Sequence, residues 1–376
     1  MIPVNELSFE GNERRYLEEC IVSGWVSSEG PFVDRFEKEY SSFIGRAHGI
    51  AVCNGTAALE TALYALGIGA GDEVIMPSFT IISCALACLR LGAIPVLVDI
   101  EPEIWTMAVE RIEEKITTRT KAIMAVHIFG NAVDMDKVLE LARKHNLKVV
   151  EDIAEAQGSQ YFSNERGSQW RACGALGDIA ATSFYANKII TTGEGGMVLT
   201  DNDEYARKAR DYRNLCFGKE KRFTHEEIGY NFRMSNLQAA LGVARLEQVV
   251  NFMRIKAQLG EYYKKKLSGI SRLKFMTSRS YTKLTYWVYA LTLTPESGMT
   301  AEELMRRLEA RRIGTRPFFQ GLHTQPALKR LGLFGREEYL HTENAYTYGL
   351  YLPSGLALTE PKIDKVVEAL KEALES

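Results

Sequence analysis

Lys188 stands at the end of an apolar run and ahead of a glycine-rich segment, in SFYANKIITTGEGG (residues 183–196). A lysine held among apolar neighbours has a depressed pKa, and an unprotonated amine is what condenses with an aldehyde to form a Schiff base. Ser183, five residues earlier, adds a hydroxyl. The glycines follow the lysine, whereas the nucleotide-triphosphate loop G-x-x-x-x-G-K-[ST] places them before it, so that kind of site is disfavoured. Taken alone, a lysine in such a segment is far more often a solvated loop residue.

Other chemically able residues also follow short apolar runs. Asn54-Gly55-Thr56 comes after GIAVC and leads straight into a helical pattern. A small-residue turn at a helix N-terminus presents free N–H groups and a positive dipole end, which suits a phosphate, although an ordinary N-cap by Asn54 or Thr56 explains it equally. Pro77-Ser78-Phe79-Thr80 follows EVIM and sets a ring where it can stack on a flat ligand or close the core. KAIMAVH ends in His127, which is as readily structural as functional. LKVV runs into Glu151-Asp152, and a buried carboxylate there needs a cation, either an arginine or a protonated ring nitrogen on a ligand.

What must position these residues is a sheet. Seven candidate strands are legible, at residues 49–53, 73–76, 94–99, 121–127, 147–152, 178–184 and 196–200. Helical patterns lie between most of them, such as TAALETALYALG and MDKVLELARKHN, and the alternation predicts an α/β fold with a seven-stranded, mainly parallel, doubly covered sheet. Ligands of such sheets bind beyond the carboxyl ends of the strands, where five of the seven exits carry something useful. A phosphate cradle, a stacking ring, a carboxylate for a ring nitrogen and a Schiff-base lysine are together the four contacts of pyridoxal 5'-phosphate (PLP).

From about Asp203 the pattern is long and helical and reads as a connector. A strand-like YWVYALTL and helical patterns over 301–312 and 362–374 then predict a smaller α+β unit. The expected division is a large domain over residues 1–250 and a small one over 251–376, since 376 residues exceed what one core usually holds.

A formal net charge of -2, with mixed signs along the chain, gives no basic face for nucleic acid. No run approaches the roughly 18 apolar residues of a membrane helix, and MIPVNELSFEGNERR has no apolar signal core, so a cytoplasmic enzyme without a membrane partner is expected. The six cysteines are scattered in apolar segments. Cys84 and Cys88 could share a helix face, but no second Cys/His pair completes a metal site, so buried free thiols and no metal are expected.

Over nearly its whole length the chain resembles the DegT/DnrJ/EryC1/StrS family of sugar aminotransferases, PLP enzymes of fold type I (aspartate aminotransferase-like). The resemblance rests on SGWVSSEGPFVDRFE, NGTAAL, GDEVIMPSFT, VHIFGNAVDM, VEDIAEAQGS, SFYANKIITTGEGGM, GYNFRMSNLQAALG, TRPFFQGLHTQP and GLYLPSGLALTE, in that order. It implies that Lys188 carries the Schiff base, Asp152 pairs with the pyridinium nitrogen and Phe79 stacks on the ring. It assigns Gly55, Thr56 and Ser183 to the phosphate, puts Glu155 near the 3'-oxygen, and has Asn231 reach the phosphate of a second subunit in a homodimer with shared sites. Lys188 argues against the branch of relatives that dehydrate the sugar, in which histidine replaces this lysine. The segment over residues 162–178 is longer and more polar than expected and reads as a surface loop.

The resemblance also implies a reaction in which L-glutamate gives its amino group to a keto sugar carried on a nucleotide, with Lys188 as base and acid. TRPFFQGLHTQP looks most like members that aminate GDP-4-keto-6-deoxymannose at C4; UDP- and dTDP-linked 4-keto or 3-keto sugars are the alternatives. Trp25, Arg316 and His323 are the candidates to meet the sugar or its diphosphate, with a surface salt bridge the plain reading of Arg316. A non-catalytic PLP-binding regulator would keep the same contacts. A nicotinamide-dependent dehydrogenase is disfavoured because NGTAAL lacks G-x-G-x-x-G.

Overall fold

In the computed structural model, which describes residues 1–217, 223–225 and 227–375, all seven anticipated strands pair into one sheet. In chain order, β1 (His48–Val52), β2 (Glu73–Pro77), β3 (Ile94–Val98), β4 (Thr120–Val126) and β5 (Lys148–Asp152) precede β6 (Gln160–Ser163) and β7 (Gln169–Ala172). After them come β8 (Ile179–Ser183) and β9 (Gly196–Thr200). The large sheet runs β1-β9-β8-β5-β4-β2-β3, parallel except for β9, which is antiparallel to both neighbours.

Both faces are covered, which is why the strands read as continuous apolar runs. Successive residues alternate sides: Ala51, Ile75, Ile123 and Val149 enter the core on one face, while Ile50, Val74, Met124 and Val150 enter the core on the other. The turn from β8 back to β9 depends on Gly196, where a Cβ would lie 2.4 Å from the Asn54 carbonyl oxygen. Of the glycines after Lys188, Gly196 thus serves close backbone packing, while Gly193 takes a left-handed φ of 81°.

The segment over residues 162–178 is not a plain loop. The end of β6 and all of β7 form a hairpin inside it, and β11 (Thr282–Lys283), which follows β10 (Leu273–Phe275), pairs with β6 to make a three-stranded sheet. The period-2 pattern there is short and polar because no residue of β7 is fully buried, so it carries little hydrophobic signal.

The long connector also divides. One helix, Asn236–Glu247, opens with a capping box in which Ser235 and Gln238 exchange hydrogen bonds, and Gln248 separates it from the next helix, Val249–Leu267. The division drawn at residue 250 falls in the first turn of that second helix. Beyond it β12 (Tyr289–Leu293), β13 (Arg316–Pro317) and β14 (Gly349–Leu352) join β10 in an antiparallel sheet ordered β10-β12-β14-β13. Helices Val249–Leu267, Ala301–Ala310 and Glu360–Glu375 help to bury the core of this unit. Asp99, just past β3, ties the large sheet to helix Leu340–Tyr348 by accepting the N–H groups of His341 and Thr342 at its start.

Candidate active site

The exits of β2, β4, β5 and β8 and the helix Gly55–Ala65 after β1 converge on one cavity of about 360 Å³, within the size range of small-molecule sites. Gly55, Thr56, Asp152, Glu155, Ser183 and Lys188 all line it.

Asn54 caps the helix by accepting the Ala57 N–H at 2.8 Å. Among the described residues, no group accepts the Gly55 or Thr56 N–H, so the N-cap and the anion-cradle readings of this turn are compatible. Thr56 Oγ1 and Ser83 Oγ stand 2.8 Å apart. A Cβ on Gly55 would lie 2.7 Å from Ser183 Cβ, so only glycine lets the helix start close against the end of β8. Gln157 braces that corner, donating to the Ser183 carbonyl at 3.0 Å and accepting the Ile190 N–H at 2.9 Å.

Glu151 and Asp152 part company because neighbours in a strand face opposite ways. Glu151 is turned from the cavity and accepts the N–H groups of Gly174, Leu176 and Gly177, with Arg46 at 3.5 Å. Burial opposes its charge, but His127, Arg46 and these N–H groups outweigh it and hold the carboxyl down at about 2. His127 lines the cavity yet has both nitrogens engaged, Nδ1 accepting the Val133 N–H and Nε2 donating to Glu151 at 3.1 Å. It is a structural histidine.

Asp152 faces the cavity. Its Oδ1 accepts the Ala154 N–H at 3.0 Å and its Oδ2 takes the Cys84 thiol at 3.4 Å. Burial raises its pKa, and no arginine pairs with it among the described residues, so a cationic ring nitrogen is the partner its surroundings suit. Lys188 follows β8 in a turn closed by its own N–H to the Tyr185 carbonyl. Its Nζ is 3.5 Å from Glu155 Oε1, and 3.8 Å from the centre of the Trp287 ring. Burial depresses the lysine and lifts Glu155 to about 7.

Four expected residues lie elsewhere. Phe79 is 1 % exposed and packs against Phe129, Phe318 and Phe319 in a core of rings, so its place on the cavity wall is corrected. Two residues on, Ile81 lines the cavity and is 41 % exposed, an alkyl face where a ring was anticipated. His323 is also corrected: it is buried off the cavity, with Nδ1 2.7 Å from Ser78 Oγ and Nε2 3.0 Å from Glu343. Trp25 is half exposed beside Ile21, Val22 and Val26 on the surface, and Asn231 is exposed too, neither lining this cavity.

Arg316 lies on an adjoining hollow with Asn5, Ala186 and Ser354, which shares Tyr185, Asn187, Trp287 and Tyr351 with the first. Trp287 and Tyr351 were missed as site residues. YWVYALTL reads as strand-like and GLYLPSG enters only through the resemblance, and nothing in their spacing ties them to Lys188.

The donors fit PLP: free N–H groups and a hydroxyl in a corner that a single Cβ would fill, a buried carboxylate with no ion pair among the described residues, and a desolvated amine. All six cysteines are free. Among the described residues no helix is long and apolar enough to cross a membrane.

Comparison with known proteins gives the same direction. The model of the DegT/DnrJ/EryC1/StrS aminotransferase family matches residues 8–371. The GDP-perosamine synthase of Caulobacter vibrioides is 41 % identical over 369 residues, covering 97 % of this chain and 96 % of that protein. That of Vibrio cholerae is 39 % identical, covering 99 % and 98 %. The X-ray structure of S. venezuelae DesV, in complex with a ketimine intermediate, superposes with a TM-score of 0.88 at 32 % identity, covering 97 % of this chain and 95 % of that one.

Proposed function

We propose, since this chain belongs to the DegT/DnrJ/EryC1/StrS aminotransferase family and is a PLP-dependent sugar aminotransferase, that it moves the amino group of L-glutamate to C4 of GDP-4-keto-6-deoxymannose. The observation that carries the chemistry is the single cavity lined by Lys188, Asp152, Glu155 and the Gly55–Thr56–Ser183 corner. What supports the choice of nucleotide sugar is the 41 % identity to a GDP-perosamine synthase over almost all of both chains.

When bound, PLP supplies an aldehyde that captures amines and a ring that accepts the electron pair left at the donor's Cα. Gly55 and Thr56 would hold its phosphate by backbone N–H groups and Ser183 by its hydroxyl, with the helix dipole favouring the negative charge. Asp152 would stabilise a proton on the ring nitrogen, and Ile81 would offer the ring an apolar face. Lys188 Nζ, whose pKa burial lowers, takes a proton from the donor's Cα and later returns one to the sugar carbon. The same amine is therefore anchor, base and acid. Glu155, 3.5 Å away, holds a proton near neutral pH and keeps the pair from carrying a full buried charge each.

On this reading residues 1–250 hold the cofactor and 251–376 flank it. A homodimer with shared sites is supported by the exposed apolar run Ile21, Val22, Trp25 and Val26 and by Asn231 standing on the surface. Free thiols throughout suit the reducing cytoplasm.

The test is incubation of the holoenzyme with glutamate and a panel of nucleotide keto sugars, read by mass spectrometry. Amination of the GDP sugar is expected. A GDP sugar left untouched while a UDP- or dTDP-linked sugar gains the amine overturns the choice of substrate, and glutamate that fails to discharge the cofactor's absorbance overturns the donor.

A further inference from the structure

Trp287 is fixed on several sides and meets the cavity at its lysine. Its indole Nε1 donates to the Asn187 carbonyl, the residue just before Lys188, at 2.8 Å. Its own carbonyl accepts from the buried Lys256 ammonium at 2.6 Å, and that ammonium also donates to the Ser354 carbonyl. Its ring lies nearly parallel to Phe129 at 6.2 Å, and only 4 % of the residue is exposed. The centre of its ring stands 3.8 Å from Lys188 Nζ.

We infer that Trp287 is a positioning residue for Lys188: its N–H fixes the chain at Asn187, and its ring face holds the amine over the strand exits. The negative face of an indole attracts an ammonium, the more so where water is excluded. A long flexible side chain with a free amine would otherwise sample many rotamers, and ordering it in advance removes that cost from each encounter with the donor and the sugar. Lys256 acts one step further back, by holding the Trp287 backbone from the helix Val249–Leu267.

The inference rests on the reading of Lys188 as the reactive amine, but its test does not need turnover. Competitive labelling with acetic anhydride across pH, followed by mass spectrometry of the Lys188 peptide in the cofactor-free protein, reads the protonation of that amine directly. Glu155 and Asp152 act on it electrostatically, and His127, Glu194, Tyr185 and Tyr351 line the same cavity, all left intact. Cation–π strength falls from Trp to Tyr or Phe and vanishes with Leu. The labelling midpoint should therefore fall along Trp, Trp287→Tyr, Trp287→Phe and Trp287→Leu, by roughly half a unit to one unit over the series.

A flat series, or one that rises, overturns the inference. If the leucine variant does not fold, the difference between tryptophan and phenylalanine decides it. Uptake of PLP by the wild type, followed by absorbance, is run beside the labelling. A wild type that takes up no PLP fails the functional reading and leaves the labelling series standing, whereas a flat series with normal uptake fails the inference alone.

Discussion

Lys188 Nζ and Glu155 Oε1 face each other at 3.5 Å in a buried corner, where burial lowers the pKa of the amine and raises that of the carboxyl. The carboxyl titrates at about 7 in the folded chain against an ordinary 4.5, with burial as the main cause. Its contribution to stability is fully present below 4.5 and is lost as pH rises to about 7, because over that window only the folded chain retains the proton. Cofactor-free Glu155→Gln should therefore gain on the wild type between pH 4.5 and 7, by up to about 3 kcal/mol. Urea unfolding at a series of pH values measures this, and a constant difference across the window would exclude the shift.

Lys188→Ala should abolish aminotransfer and leave no lysine-bound cofactor absorbance. Asp152→Asn should still bind cofactor but lose activity on the order of 100-fold or more, since an amide cannot stabilise a protonated ring nitrogen. Steady-state rates and absorbance spectra of the two variants check the assignment. Wild-type rates in either would contradict it.

Gly55→Ala should weaken PLP binding and destabilise the chain, because the added Cβ would sit 2.7 Å from Ser183 Cβ. Overpacking of this kind costs about 1–3 kcal/mol. PLP titration and thermal unfolding report the two effects, and unchanged affinity would mean that the corner between helix Gly55–Ala65 and β8 is not the phosphate cradle.

His323→Ala should lower stability by about 1–3 kcal/mol through the partners it leaves at Ser78 and Glu343. The KM for the nucleotide sugar should stay within a few-fold of wild type, since the ring lies off the cavity. A large rise in KM at unchanged stability would restore His323 as a substrate contact.

Lys256 is buried without a carboxylate among the described residues, and burial pushes it from an ordinary 10.5 down to about 7. For a base depressed on folding, the stability present above the unfolded pKa is lost as pH falls, here between 10.5 and about 7. Lys256→Met should flatten that slope. Comparing unfolding free energies of the two proteins from pH 7 to 10.5 measures it, and parallel curves would argue against the depressed value.

The strands of the large sheet were legible because each is buried on both faces and so reads as an unbroken apolar run. The polar residues at their exits were legible because a change from apolar to polar marks where a parallel strand leaves its sheet. The hairpin of β6 and β7 was not, since no residue of β7 is fully buried and its third strand, β11, comes from more than a hundred residues further on.

By itself, the sequence determined the α/β class, the edge on which chemistry is gathered and the residue types at that edge, for these follow from local periodicity and from chain order. Tertiary structure decided which neighbour does what. It turned Glu151 away to bind three N–H groups and left Asp152 on the cavity, sent Phe79 into a core of rings and brought Ile81 forward. It also carried Trp287 across a hundred residues of chain to cover Lys188. The physical reason is that a side chain's facing and its distant partners depend on strand phase and on close packing between segments far apart in sequence, and neither is written in local composition.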